Sequence, residues 1–261
     1  MTLKVGIFGA GCIGQFVGAH LAGQQGVEVV FVGRSVLKRT AAAGFLTATD
    51  FQKTTQLEPL PASSLNFSYD PADLAPCDIV LVCLKCGDTA SAAPLKALKP
   101  GSTIISLQNG VDNVIQLRHM LRHHDLPVVA GMVPYGVCES SPGRFHKGTA
   151  GSLTFDSTIP EPLLRSLRYG GLSVEVYPAS EMPLIQHFKL VVNLGNALNA
   201  LVGDPLASCM DDEKYRAVLC AMWKEGLAAC EAEGYDFSGG GAGGGGGGGG
   251  AGGGAGGAGA G

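Results

Sequence analysis

Three polar residues recur in an otherwise apolar segment, residues 187–201, with the sequence HFKLVVNLGNALNAL. Lys189, Asn193 and Asn196 stand at i, i+4 and i+7, which places them on one face of a helix. A buried amine or amide costs free energy unless a partner satisfies it. This face therefore meets either water or a ligand.

Such a face could support the reduction of a ketone or the reverse oxidation. The reaction needs a proton donor beside the carbon that receives the hydride, and a lysine with a tuned pKa can serve. Asparagine can hold a carbonyl, hydroxyl or carboxylate by hydrogen bonds without adding charge. We predict that Lys189 is catalytic and that Asn193 and Asn196 bind substrate. The alternative is a helix whose polar face is only solvated.

A glycine motif near the amino terminus predicts the source of the hydride. The sequence GAGCIG follows the apolar run LKVGIF and opens a helical pattern. In that context the glycines allow a tight turn, close approach of a pyrophosphate and close helix packing, and the helix amino terminus favours the anion. The predicted dinucleotide-binding residues are Gly9, Ala10, Gly11, Cys12, Ile13 and Gly14.

The end of the second predicted strand, VEVVFVGRS, indicates which dinucleotide binds. Sites for NAD usually carry a carboxylate here for the ribose 2′-hydroxyl, whereas this chain has Arg34 and Ser35, with Lys38 and Arg39 just beyond. A guanidinium can bind a 2′-phosphate by charge-assisted, bidentate hydrogen bonds. We predict NADP(H) rather than NAD. FAD is disfavoured, since nothing downstream resembles a second flavin motif.

The elements that position these groups alternate along the first 180 residues. Apolar runs such as VEVVFVGR, CDIVLVCLK, STIISLQNG and LPVVAGMV alternate with helical patterns. This is typical of a parallel, doubly wound sheet with helices on both faces. Shorter pieces between Arg144 and Val176 indicate edge strands or a hairpin.

The pattern after residue 183 is helical, from Lys189 to Leu201 and from about Asp211 to Glu233. We predict an α/β fold in which a Rossmann-type doubly wound sheet is followed by an all-helical C-terminal domain. Residues 1–181 would form the NADP(H)-binding domain and residues 182–261 the substrate and catalytic domain.

The composition narrows the class of protein. The chain has 261 residues, of which 46% are hydrophobic, so it can bury a core without disulfides. A net charge of -4 argues against binding to nucleic acid or to a membrane surface. The opening MTLKVGIFGAG lacks the pattern of a signal peptide, and no apolar run is long enough to span a membrane. We expect a cytoplasmic protein with reduced cysteines.

Two groups of potential metal ligands lack the number of ligands that a metal site needs. Cys83 and Cys86 form a single C-x-x-C, which is half of a tetrahedral zinc site. His119 and His123 are four residues apart, but arginines flank them and no carboxylate joins them. We predict that the protein binds no metal.

Residues 239–261 are all glycine or alanine. Such a segment offers nothing to bury. Our hypothesis is that these letters stand for residues whose side chains were not assigned, and we leave them out of the fold prediction.

Taken in order, the motifs resemble the ketopantoate reductase family. They are GAGCIG, a strand ending in CLK, LQNG after the next strand, and K-x-x-x-N at the start of the helical part. The resemblance spans residues 3 to about 237. It implies a 2-dehydropantoate 2-reductase, which reduces a 2-keto acid with NADPH in pantothenate biosynthesis.

The resemblance also implies roles for individual residues. Arg34 would bind the 2′-phosphate, Lys85 would lie near the cofactor, and Asn109 would lie beside the nicotinamide ribose and the substrate. Lys189 would be the general acid, and Asn193 would hold the substrate one turn later. From the residues alone, Lys85 could be a solvated strand end and Asn109 the first residue of an Asn-Gly turn.

The chain departs from the family pattern at several positions. Where the family often has a further asparagine, this chain has Ala197, between Asn196 and Asn199. The asparagine of the later substrate loop has no clear counterpart in LVGDPLASC, and the family's serine and glutamate fall within residues 239–261. The reaction class survives these gaps, and the identity of the 2-keto acid stays open.

We therefore predict NADPH-dependent reduction of a small-molecule 2-keto acid, with ketopantoate the leading substrate. The apolar helical domain could support a homodimer. A β-hydroxyacid dehydrogenase, which commonly uses NAD, is the enzymatic alternative. A protein that binds NADP(H) as a sensor without turnover is the alternative from another class.

Overall fold

The computed structural model of the chain describes residues 2–51, 57–204 and 206–238. The interpretation of residues 239–261 therefore lies outside the described residues. The strands are β1 (Leu3–Phe8), β2 (Val27–Val32), β3 (Phe45–Asp50), β4 (Leu60–Pro61), β5 (Asn66–Ser68), β6 (Ile79–Val82), β7 (Thr103–Ser106), β8 (Val128–Met132), β9 (Val137–Ser141), β10 (Arg144–Lys147), β11 (Leu153–Asp156) and β12 (Val174–Tyr177).

The α-helices are α1 (Cys12–Ala22), α2 (Ser35–Ala43), α3 (Asn113–Leu121), α4 (Glu161–Tyr169), α5 (Met182–Val202), α6 (Leu206–Cys209) and α7 (Glu213–Ala232). The 3-10 helices are Ala62–Ser64, Pro71–Leu74 and Cys86–Ala97.

The main sheet has the strand order β12-β11-β8-β7-β6-β1-β2-β5 over the described residues. The strands from β8 to β5 pair in parallel, and β11 pairs antiparallel with β8 but parallel with β12. The prediction of an α/β fold with a doubly wound sheet is confirmed. The antiparallel step arises because β9 and β10, a hairpin, lie between β8 and β11 in the chain.

Both faces of the main sheet are largely buried at its central strands β1, β6, β7 and β8, as their nearly continuous apolar sequences predict. On β1, Val5 and Ile7 belong to the apolar cluster that includes Phe16 of α1. Phe8 points to the opposite cluster, which includes Leu117 of α3. The carboxyl ends of the strands therefore lie between two layers of helices.

A smaller sheet with the order β4-β3-β10-β9 covers α1. The sequence indicates edge strands from Arg144 onward, and the structure divides these pieces between the two sheets. The strand Phe45–Asp50 was not predicted, because its threonines break the apolar run that marks the other strands.

The C-terminal part is helical, as predicted, and α5 packs against α7. Helix α5 begins at Met182 rather than at the predicted Lys189, since Pro183 stands in its first turn, where proline is favoured. Asp212 caps α7 by accepting a hydrogen bond from the Lys214 amide at 2.7 Å. Among the described residues, no helix combines the length and apolar character needed to cross a membrane.

Candidate dinucleotide and substrate site

The glycine loop after β1 is shaped by backbone contacts. Gly9 has φ +95°, and a Cβ there would lie 2.8 Å from the backbone of Cys83 and Leu84. A Cβ at Gly14 would lie 2.6 Å from the Gly9 carbonyl oxygen. These two positions therefore require glycine for the fold itself.

Gly11 differs from its two neighbours in the motif. It precedes α1, and a Cβ there would meet no atom within 4 Å. Its lack of a side chain leaves open space in front of the helix amino terminus, where free N–H groups favour an anion. Cys12 opens α1, Ile13 packs against the core and Gly14 is buried.

A cavity of about 510 Å³ lies at the carboxyl ends of β1, β2 and β6. In doubly wound folds this edge of the sheet is where ligands bind. The cavity is lined by Phe8, Gly9, Ala10, Gly11, Val32, Gly33, Arg34, Ser35, Val36, Tyr69, Pro71, Cys83, Leu84, Lys85, Asp88 and Ser91. The lining joins the glycine loop to Arg34 and Lys85, both predicted to contact the cofactor.

The basic residues after β2 point to different places. Arg34 is exposed, and its Nη2 atom lies 3.5 Å from Oδ2 of Asp88. Lys38 Nζ lies 5.3 Å from the ring centroid of Tyr69. Arg39 pairs with Glu139 on β9. Arg34 is thus the one of the three basic side chains that lines the cavity.

Lys85 and Asn109 are placed by a buried polar network. Thr89 Oγ1 donates to Asn113 Oδ1 at 2.7 Å and accepts from Gln108 Nε2 at 2.8 Å. Asn113 Nδ2 in turn donates to the Asn109 carbonyl at 2.6 Å. This network joins the 3-10 helix after Lys85 to the turn that contains Asn109, and both predicted side chains are exposed.

The network residues Thr89, Gln108 and Asn113 were missed by the sequence analysis. Each is at most 5% exposed despite its polar side chain. The available signal was the run LQNG followed by a further asparagine, in which polar residues follow the apolar run of a predicted strand.

Lys189 links α5 to the end of β8. Its side chain is half-buried, and Nζ donates to the Pro134 carbonyl oxygen at 2.9 Å. One turn earlier, Gln186 Nε2 donates to the Gly131 carbonyl at 3.3 Å. Burial lowers the pKa of the Lys189 ammonium from its ordinary 10.5.

The two asparagines that follow Lys189 differ in exposure. Asn193 is half-buried and Asn196 is exposed, and Asn196 Nδ2 donates to Asn193 Oδ1 at 3.3 Å. Further along, Asn199 has a buried Oδ1 without a hydrogen-bond partner among the described residues. The polar face of α5 thus runs from half-buried near Lys189 to solvent at Asn196.

The cavity does not unite every predicted site residue. Its lining, taken over the described residues, contains none of Asn109, Lys189, Asn193 and Asn196. The structure therefore has a cavity with the glycine loop and Arg34, and a separate polar face on α5. Among the described residues, no group of His, Cys, Asp or Glu side chains is placed to hold a metal ion.

Comparison with known proteins decides the family. The family model described as ketopantoate reductase PanE/ApbA matches residues 5–158, which is more than half of the chain. The chain belongs to this family. Ketopantoate reductases are pyridine-nucleotide-dependent oxidoreductases that act on small keto acids.

Individual ketopantoate reductases match over most of their length. A 2-dehydropantoate 2-reductase of Halobacterium salinarum is 28% identical over 250 residues, which is 90% of this chain and 78% of that protein. A PanE/ApbA family ketopantoate reductase of Ralstonia eutropha JMP134 is 28% identical, with a TM-score of 0.73 over 90% of this chain and 76% of that one.

A third likeness supports the fold alone. A 2-dehydropantoate 2-reductase of Geobacter metallireducens GS-15 is 24% identical, with a TM-score of 0.74. The superposition covers 91% of this chain and 79% of that one. It therefore includes the helical C-terminal part as well as the sheet.

Proposed function

We propose that this ketopantoate reductase family member reduces a 2-keto acid with NADPH, with ketopantoate the leading substrate and pantoate the product. That product would place the reaction in pantothenate biosynthesis. The observation that carries the proposal is the half-buried Lys189, whose Nζ is held on the Pro134 carbonyl at the end of β8.

The cavity fits a nicotinamide dinucleotide. Gly11 leaves space for a pyrophosphate at the amino terminus of α1, and Gly9 keeps the loop against the backbone of Cys83. Arg34 would bind the 2′-phosphate, and Lys85 would add a second positive charge at the rim. When bound, NADPH supplies the hydride that the carbonyl carbon receives.

Lys189 would supply the proton. As hydride adds to the carbonyl carbon, the oxygen becomes an alkoxide, and an ammonium beside it stabilises the charge and then protonates it. The lowered pKa of Lys189 brings this acid closer to neutral pH than an exposed lysine. Before substrate binds, the Pro134 carbonyl keeps the amine from being an unpaired, half-buried donor.

The substrate would be oriented by amide groups. Asn193 lies one helical turn beyond Lys189, and Asn196 reaches the Asn193 side chain. Asn109 would approach from the turn after β7, held by the network through Asn113. The placement of these side chains around one substrate is part of the proposal, as are the homodimer and the cytoplasmic location.

The experiment is a turnover assay that follows the absorbance of reduced nicotinamide. Ketopantoate is compared with pyruvate, 2-ketoisovalerate and acetolactate in the wild type, in Lys189→Ala and in Lys224→Ala. Lys224, an exposed lysine on α7, is the matched control. We expect turnover with ketopantoate that Lys189→Ala loses and Lys224→Ala keeps.

Other outcomes have definite meanings. Turnover with a different keto acid would keep the mechanism and change the substrate. NADPH binding without turnover of any keto acid would favour a sensor. Turnover that survives in Lys189→Ala would refute the proposed general acid.

A further inference from the structure

A carboxylate, that of Asp88, faces Arg34, the residue proposed to bind the 2′-phosphate. Asp88 lies in the 3-10 helix Cys86–Ala97 and lines the same cavity as Arg34. The Asp88 Oδ2 atom is 3.5 Å from Nη2 of Arg34, so the pair closes one side of the cavity. The two residues belong to the segments that follow β2 and β6.

The electrostatic setting of this pair is mixed. The cavity lining contains two cations, Arg34 and Lys85. A third, Lys38, lies over the ring of Tyr69, which also lines the cavity. Among the described residues that line the cavity, Asp88 is the only acid. Its side chain is 44% exposed, so the ion pair with Arg34 adds little to folding stability.

A carboxylate here affects the two nicotinamide cofactors in opposite ways. A 2′-phosphate bound to Arg34 would have to displace Asp88 from the guanidinium and would be repelled by its charge. A 2′-hydroxyl, in contrast, can donate a hydrogen bond to a carboxylate, as in sites that select NAD. The same side chain therefore penalises NADPH and favours NADH.

We propose that Asp88 sets the cofactor preference of this site by reducing the discrimination for NADPH over NADH that Arg34 provides. The proposal rests on the proposed function, because it takes the cavity as the dinucleotide site and Arg34 as the residue that binds the 2′-phosphate. It predicts an enzyme that accepts both cofactors, with NADPH bound less tightly than Arg34 alone would allow.

The size of the effect follows from charge and distance. Two unit charges about 4 Å apart in a water-like dielectric change an equilibrium by about fivefold, and a doubly charged phosphate increases this. Removing the charge of Asp88 should thus lower the Kd for NADPH about five- to tenfold. Salt should reduce the difference, because the pair is exposed.

The test measures direct binding of NADPH and of NADH by calorimetry. It compares the wild type with Asp88→Asn, which keeps the shape of the side chain, and with Asp125→Asn. Asp125 is an exposed acid that precedes β8, at the opposite edge of the sheet, and it controls for net charge. We expect Asp88→Asn to tighten NADPH and not NADH, and Asp125→Asn to change neither.

The outcomes separate this inference from the proposed function. A wild type that binds neither cofactor would overturn both. A wild type that binds NADPH, with the same NADPH to NADH ratio of Kd in Asp88→Asn, would overturn only the inference. Equal changes for both cofactors, or the same shift in Asp125→Asn, would also overturn it, because they indicate a change in cavity shape or in bulk charge.

Discussion

A hydrogen bond of 2.9 Å from Lys189 Nζ to the carbonyl oxygen of Pro134 links the helical part of the chain to the end of the sheet. Pro134 follows β8, so its carbonyl lies at the carboxyl edge of the sheet. The next residue, Tyr135, is buried, and the Nζ atom of Lys147 lies 4.2 Å from its ring centroid. The loop whose carbonyl accepts from the proposed general acid is thus anchored to the apolar core through Tyr135.

This relationship predicts how the rate depends on pH. Lys189 can act as an acid only while protonated, so keto-acid reduction at saturating substrate should fall as pH rises through the pKa of Lys189. Burial puts that pKa below the ordinary 10.5. In Lys189→Arg the side chain stays charged, so we expect a rate lower by about a hundredfold or more and no such alkaline limb. A pH profile of kcat checks this, and an unchanged limb in Lys189→Arg would assign the titration to another group.

The three glycines of the loop should respond differently to alanine. In Gly11→Ala the new Cβ enters open space, so stability should fall only slightly, through the poorer N-cap, while the Kd for NADPH rises about tenfold or more. In Gly14→Ala the Cβ meets the Gly9 carbonyl at 2.6 Å, so the protein itself should lose about 1–3 kcal/mol of stability. Thermal unfolding and calorimetric titration measure the two effects separately. If Gly11→Ala bound NADPH as tightly as the wild type, the glycine loop would not be part of the dinucleotide site.

The buried network behind Asn109 gives a third prediction. Thr89→Val removes the hydroxyl and leaves Gln108 Nε2 and Asn113 Oδ1 without that partner in a buried place. We expect a loss of about 1–3 kcal/mol in the free energy of unfolding. Thr89→Ser keeps the hydroxyl and is the matched control, so it should lose less. Urea unfolding curves compare the three proteins, and equal losses in both variants would show that the hydroxyl contributes no more to stability than the methyl group.

The elements with strong local signals could be predicted from the sequence. The glycine loop was identified because Gly9 and Gly14 have a fixed spacing between a strand and a helix, and the polar face of α5 because Lys189 and Asn193 recur with the helical period. β3 was missed because its alternating threonines give a weaker pattern than the buried parallel strands.

Relations across the cavity could not be predicted in the same way. Nothing near Arg34 in the sequence indicates that Asp88 faces it, because the two meet only when β2 and β6 take their places on either side of β1. The partner of Lys189 is a backbone carbonyl, which every residue carries. The residue type at position 134 therefore gives no indication of this hydrogen bond.

A buried histidine should make stability depend on pH. His20 on α1 is 4% exposed, and its Nδ1 atom lies 2.7 Å from the Gly170 carbonyl, which ties α1 to the end of α4. Burial lowers the pKa of His20 from its ordinary 6.5. As pH falls below that value, the unfolded chain gains a proton that the folded protein does not, so stability should fall on the acid side.

The slope from this one group is at most about 1.4 kcal/mol per pH unit. Urea unfolding at about pH 7.5 and about pH 5.5 should therefore show a smaller acid loss in His20→Asn than in the wild type. Asparagine keeps a donor for the Gly170 carbonyl, and His123→Asn, at an exposed position, is the control. The variant can be less stable at both pH values, since it loses the edge contact with Phe16. The prediction concerns the difference between the two pH values, and a difference as large as that of the wild type would exclude His20 as its source.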